Sequence, residues 1–339
     1  MDIGKALIDT NRVETGEYEL PERTCFMHPW LHAGTIALIG GQRGGGKTWL
    51  GLALAYALTR GSSIGSWFVE RPVGVLYLDM EMPQGEMLPR IAGLNRGIGK
   101  PHAPLDWYNS EYSQYETGRI LNLNHHSQRQ DLLEFLSACS GRYGVLILDN
   151  KSAAFPGMDE NDKKDFDDVG QWLLAIRRIG VATVLICHFG KNSRSGIRGT
   201  SSVEDFADVS ITLESPPGFK QGSEAVFQIG FSKSRGLNTD VKPFSISIHN
   251  ERGAIQWHTN KPIIVLKDRI VKCLGQGMAQ SEVHGFLNCS KAYTSEVKKL
   301  AIAEGLLMPS GLFTLKGMEQ YSEINPIGYD KVNFSGFVE

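Results

Sequence analysis

The stretch Gly41-Gln42-Arg43-Gly44-Gly45-Gly46-Lys47-Thr48 decides how the rest of the chain is read. Before it, Thr35-Ile36-Ala37-Leu38-Ile39 is a short apolar run suited to a buried strand, and Gly40 and Gly41 end that run. After it, Trp49 to Thr59 continues as a helical pattern closed by Gly61. A G-x-x-x-x-G-K-S/T string between a strand and a helix is a phosphate-binding loop. Its glycines, Gly41, Gly44, Gly45 and Gly46, let backbone N–H groups turn inward around phosphate oxygens. The helix that opens at Lys47, Thr48 and Trp49 adds the partial positive charge of its N-terminus. Lys47 is expected on the β/γ-phosphates and Thr48 on Mg²⁺.

The chain has 339 residues, enough for one large domain and a small one, and its 41% apolar content is ordinary for a globular protein. No apolar run approaches the roughly 18 residues of a membrane span, and Met1-Asp2-Ile3-Gly4-Lys5 lacks a basic-then-apolar signal, so a cytoplasmic protein without membrane contact is expected. The five cysteines, Cys25, Cys139, Cys187, Cys273 and Cys289, are widely spaced and read as reduced thiols. A net charge of -2 excludes a strongly basic coat, so any nucleic acid would be held by local patches.

The expected organisation is an arm over 1–33, an α/β core over 34–260, a winged helix-turn-helix over 261–316 and a flexible tail over 317–339. Within the core, Val73 to Leu78 is a buried strand ending in Asp79-Met80-Glu81-Met82-Pro83. The interval 97–128 is loop-like with one short strand. Tyr143 to Asp149 is an apolar strand ending in an acid, which beside a phosphate loop reads as Walker B, with Asp149 meeting Mg²⁺ directly or through water. Val181 to Cys187 is the next strand, with His188 at its end, and four further strand-like runs between Val209 and His258 give an antiparallel finish to a largely parallel sheet. Beyond Pro262, three amphipathic helices and a strand pair turning at Pro309 to Gly311 make the winged layout, with Ser290 to Ala303 as recognition helix.

Ligands of an open α/β sheet gather at the carboxyl ends of its strands, where the phosphate loop, Glu81, Asp149 and His188 all fall. In many phosphate-loop ATPases the water-activating carboxylate follows the Walker B acid, but here that residue is Asn150. Glu81 is the remaining well-placed general base, set against a surface acid capping the next helix; Asp79 competes, but lies earlier in the strand, where it could face inward. His188 reads either as a γ-phosphate sensor or as hydrogen-bonded structure. The following loop brings Lys191, Arg194 and Arg198 among glycines, either for phosphate-backbone contact or as a solvated surface. Lys233 and Arg235, one residue apart at a strand end, point the same way, either as a finger in a neighbouring subunit's site or as an exposed strand end.

Taken together, Gly40 to Thr48, Leu78 to Pro83, Leu146 to Asn150, Cys187 to Lys191, Arg198 to Ser202 with Asp205 and Asp208, and Lys233-Ser234-Arg235 resemble the RecA/DnaB superfamily over residues 26–250. Within it, the set is most similar to the RepA-like hexameric replicative helicases of plasmids and phages. The resemblance implies a RecA-like core that hydrolyses ATP with Mg²⁺, a hexameric ring with shared sites, and 5'–3' unwinding of DNA from a single strand in the central channel. It implies Glu81 as catalytic glutamate, His188 as sensor, and Lys233 with Arg235 as the finger in trans. Segments 152–168 and 191–198 would line the channel. The first of these is acidic as well as basic, and the C-terminal winged helix is an addition to the plasmid pattern. That winged helix would contact duplex DNA, through Lys291 and Lys298 among others, or a protein. A binding or recombination-mediator ATPase that assembles without unwinding, and an ATP-switched DNA-binding regulator, are the competing readings.

Overall fold

The computed structural model describes residues 7–10, 13, 23–158, 163–188, 205–214, 225–234, 243–260, 266–287 and 289–321. They form two compact units that part between Lys261 and Pro262. The first is built on a nine-stranded sheet. Its parallel strands are β3 (Ile36–Gly41), β6 (Val75–Asp79), β7 (Leu105–Asn109), β8 (Val145–Asp149), β9 (Ala182–His188) and β10 (Val209–Glu214). An antiparallel meander completes it: β11 (Ala225–Ser234), β12 (Phe244–Glu251) and β13 (Ala254–Asn260). The spatial order is β13-β12-β11-β10-β3-β9-β8-β6-β7, so β9 lies between the phosphate-loop strand β3 and the Walker B strand β8.

The strands are apolar on both faces because both faces are covered. Ala37 and Ile39 point to one side, with Tyr77, Ile147 and Ile186, under helix α1 (Lys47–Arg60) and α2 (Gln84–Gly97). Ile36 and Leu38 point to the other, with Leu78, Leu148 and Leu185, under α4 (His126–Ala138) and α6 (Lys163–Arg178). The alternation is the period-2 pleat, and it pins the register of every parallel strand.

Two boundaries differ from the sequence expectation. Residues 23–33 are part of the core: β1 (Cys25–Met27) pairs with β2 (Leu31–His32), and Met27, Trp30 and Leu31 are fully buried. The prolines that suggested an arm instead shape a hairpin, in which the His28–Pro29 bond is cis. The interval 97–128 supplies the edge strand β7 and an eight-residue helix, α3 (Ser110–Thr117), capped by the Asn109 side chain. Its alternating polar residues are those of an edge strand, half covered rather than buried.

The second unit packs α7 (Leu266–Gly275), α8 (Gln280–Phe286) and α9 (Lys291–Ala303) around Ile270, Leu274, Val283 and Val297. Ser290 caps α9 by accepting from Tyr293 N. The expected strand pair is one bridge, Leu307 to Phe313, closed by Met308 N donating to Leu312 O at 2.7 Å. Residues 317–321 belong to a helix, α10 (Leu315–Tyr321), and are no tail. Tyr321 is buried, its hydroxyl donates to Asp268, and Lys272 donates to its carbonyl.

Candidate functional site: a nucleotide pocket at the strand ends

The phosphate loop turns as its glycines require. Gly44 and Gly46 have φ of 72° and 83°, in the left-handed region that other residues avoid. At Gly46 a Cβ would also run 2.4 Å from the Phe227 ring of β11, so the position excludes side chains twice over. Helix α1 then opens with no side-chain cap and no acid in its first turn, which leaves its first N–H groups to an anion. Lys47 is 6% exposed, and its ammonium folds back on the loop, donating to Gly41 O at 3.0 Å and Gln42 O at 2.6 Å. Burial holds its pKa below the ordinary value, while the charges of Asp149 and Glu81 oppose that shift. Trp49 turns the other way, under the Arg90 guanidinium of α2 at 4.9 Å, so its side chain serves packing.

Asp149 ends β8 with 3% exposure. Tyr77 donates to its Oδ2 at 2.8 Å, and the Thr48 hydroxyl is bonded to it as well. A buried carboxylate joined to the loop threonine is the donor set that fits Mg²⁺, and these two side chains would hold the ion, which supplies charge neutralisation on the phosphates. Burial pushes the Asp149 carboxyl up to about 6 from 3.8. Above pH 6 the folded protein carries this group ionised at a cost of about 3 kcal/mol; as pH falls from 6 towards 4 the folded state takes up a proton that the unfolded chain does not, and the cost disappears. Asp149→Asn, which keeps the Tyr77 hydrogen bond, is therefore expected to raise the melting temperature at pH 7 by several degrees while abolishing ATP turnover. Differential scanning calorimetry beside a phosphate-release assay checks both halves.

The two carboxylates at the end of β6 are separated by their surroundings. Asp79 is fully buried and spent on the backbone: its Oδ1 accepts from Met82 N at 2.9 Å and Glu81 N at 3.3 Å, and its Oδ2 accepts from Asn109 Nδ2 at 3.0 Å. This turn lifts Glu81 out of the strand, with its side chain 58% exposed. Asp79 is committed to holding this turn, and of the two carboxylates Glu81 is the one that reaches solvent. The Glu81 carboxylate meets Asn150 Nδ2, and its Oε2 lies 3.8 Å from His188 Nε2. Asn150 Nδ2 is in turn 3.2 Å from His188 Nε2.

The structure thus brings Gly41 to Thr48, Glu81, Asp149 and His188 to one end of the sheet. It does not bring Lys233 there. Lys233 sits opposite Ser210, while Gly41 sits opposite Leu213, and β11 runs antiparallel to β10. Lys233 is therefore about 10 Å back along the strands and two strands across from the loop, on a chain heading away from it. Arg235, Lys191, Arg194 and Arg198 lie outside the described residues. Lys291 is exposed at the first residue of α9, and Lys298 lies along the turn at Gly311, both in the second unit. Two participants were not legible as such: Tyr77 inside an apolar strand, which offered no signal, and Asn150, whose position just before Lys151-Ser152-Ala153 is a capping signal.

A phosphate loop, a Walker B strand one strand removed from it, and a carboxylate on the next strand over define a RecA-like P-loop ATPase. The family comparison agrees: a family model described as AAA domain, AAA_25, matches residues 8–194, more than half of the chain, and the chain belongs to that family. Among solved structures it is similar to the flagellar accessory protein FlaH from Methanocaldococcus jannaschii, at 17% identity over 67% of this chain and 90% of that one, with a TM-score of 0.42. It is also similar to the ATPase domain of G40P, at 13% identity over 65% and 84%, with a TM-score of 0.46. The KaiC-like protein PH0186 from Pyrococcus horikoshii OT3 is similar at 16% identity over 70% and 99%, with a TM-score of 0.43. No curated protein matches the chain. Among the described residues no helix is long and apolar enough to cross a membrane.

Proposed function

We propose that this ATPase is a ring-forming motor on single-stranded DNA, a replicative helicase of a plasmid, phage or mobile element. The observation that carries the reading is the placement of Lys233. The strand that bears it begins under its own phosphate loop, where Phe227 packs on Gly46, and runs towards the opposite end of the parallel strands. A cation at that end of the strands is far from its own nucleotide, and in this reading it serves the nucleotide of an adjoining copy. Such a site is complete only in an assembly.

In this reading Lys47 leaves the loop carbonyls for the β/γ-phosphates, and the N-terminus of α1 receives the remaining phosphate charge. Thr48 and Asp149 hold the metal. Glu81 takes the proton of the attacking water, and His188 faces the γ-phosphate and transmits its loss to the segment after β9, where Lys191, Arg194 and Arg198 would touch the DNA backbone. The second unit, with its capped helix and single-bridge wing, serves as a winged helix contacting duplex DNA or a protein through the face of Lys291 and Lys298.

The test is unwinding of a forked duplex by the full chain with ATP. The expected result is strand separation that Lys47→Ala abolishes. Turnover stimulated by single strands with no unwinding would favour the mediator ATPase instead.

A further inference from the structure

Tyr77 is a fully buried tyrosine in the middle of an apolar strand, with Ile147 level with it on β8 and Ile186 in the same layer. Nothing in that layer calls for a hydroxyl. Burying one without a partner is costly, and among the described residues the Tyr77 hydroxyl has one hydrogen bond, its donation to Asp149 Oδ2 at 2.8 Å. Tyr77 lies two residues short of Asp149 along the parallel strands, a gap of roughly 6.6 Å. A phenol is long enough to close that gap from within the apolar layer without placing a charge there.

Two neighbours are shaped around this side chain. Gly51 lies inside α1, where glycine weakens a helix, yet a Cβ there would stand 2.7 Å from Tyr77 Oη and 2.8 Å from Ile186 Cδ1. Thr48 is one turn before Gly51 on the same face of α1, so the Asp149 carboxylate is met by Thr48 from the helix and by Tyr77 from the sheet. From the edge strand, Trp107 of β7 stacks on the Tyr77 ring at 3.9 Å and 12°, which fixes the plane in which the hydroxyl lies. The Asp149 backbone is already pinned: Met80 N donates to its carbonyl at 2.7 Å, and Asn150 caps the helix that follows, α5 (Lys151–Ala154), by accepting from Ala153 N. What the backbone leaves open is rotation of the carboxylate, and the Tyr77 hydroxyl closes it.

We propose that Tyr77 is a positioning residue for the metal: it holds one oxygen of Asp149, so that the carboxylate meets the ion in a single orientation beside Thr48. Tyr77 acts through Asp149, and the notch at Gly51 is what lets its hydroxyl reach that place. The proposal rests on Thr48 and Asp149 holding Mg²⁺ and is independent of any DNA ligand or neighbouring copy. A hydrogen-bond partner that orients a metal's carboxylate ligand sets metal affinity by about 10- to 100-fold.

The substitution that isolates the hydroxyl is Tyr77→Phe, which keeps the ring, its stack on Trp107 and the packing volume. Binding of a fluorescent ATP analogue to the full chain is titrated with Mg²⁺, with a series in EDTA beside it. The expected result is a rise of about tenfold in the Mg²⁺ concentration that half-saturates the metal's effect on analogue affinity, with affinity in EDTA unchanged. Gly51→Ala, whose methyl displaces the hydroxyl with Tyr77 still present, is expected to shift the titration in the same direction, and it carries the test should Tyr77→Phe fail to fold. The two together shift it no further than Tyr77→Phe alone, since both act on one contact. Shifts that multiply in the double variant place them in different contacts and overturn the proposal. Wild-type Mg²⁺ dependence in Tyr77→Phe overturns it too, as does an equal loss of affinity with and without the metal, which is what a packing role would give. Thr48→Ala and Asp149→Asn read the premise separately: they abolish the Mg²⁺ dependence, and if they leave it intact the ion is held elsewhere and the proposal falls with its premise.

Discussion

Glu81→Gln is expected to lower ATP turnover by about 10²- to 10⁴-fold while ATP still binds. The amide has the size of the carboxylate and can still accept from Asn150 Nδ2, so what is removed is the capacity to take a proton. The alternative base on the same strand is excluded by its surroundings. Burial raises the Asp79 pKa, but its oxygens are committed to Met82 N, Glu81 N and Asn109 Nδ2, and a residue that holds the turn in place has no free face for water. Loss of Asp79 would also displace Glu81, so Asp79→Asn is a poor discriminator and Glu81→Gln a clean one. Turnover within about threefold of wild type would show that the proton goes elsewhere.

The second large effect concerns the far end of β11. Arg235→Ala is expected to reduce turnover by about 10³-fold, as loss of a cationic finger does in phosphoryl transfer, and Lys233→Ala by less. A decisive form of the experiment mixes two inactive proteins. Lys47→Ala cannot hold the phosphates but carries an intact finger, and Arg235→Ala carries an intact loop. In a shared-site assembly of equal parts, about a quarter of the interfaces join the intact loop to the intact finger, and activity returns. With the finger acting on its own loop the mixture would stay inactive. The register of β11 against β10 predicts recovery, because Lys233 pairs with Ser210, towards the end of the strands away from Gly41.

Much of this was legible in the residues, for reasons that differ from element to element. The parallel strands showed themselves because both faces are buried, which leaves runs such as Val145 to Leu148 with no polar break. The phosphate loop showed itself because its backbone geometry admits few residues besides glycine. The site acids were found by their place at strand ends, although the division of labour between Asp79 and Glu81 needed the hydrogen bonds. What stayed hidden was structure held by partners distant in sequence. The hairpin at 23–33 reads as polar linker until Trp30 meets Trp67, with ring centroids 5.2 Å apart. The edge strand β7 is specified by pairing with β6 and by Tyr77 stacking on Trp107 at 3.9 Å, neither of which a local pattern encodes. Asn150 reads as a missing glutamate and as a helix cap, whereas its contacts with Glu81 and His188 join residues of three different strand ends and no local pattern encodes them.

A site that needs a neighbour is the central claim, and electron microscopy of the full chain with a non-hydrolysable ATP analogue and oligo(dT) tests it most directly. The account predicts a closed ring with DNA in its channel, and at each interface a nucleotide on the Gly41 to Thr48 loop facing Lys233 and Arg235 of the adjoining copy. Particles that remain monomeric, or that assemble with these two cations turned away from every nucleotide, would contradict it.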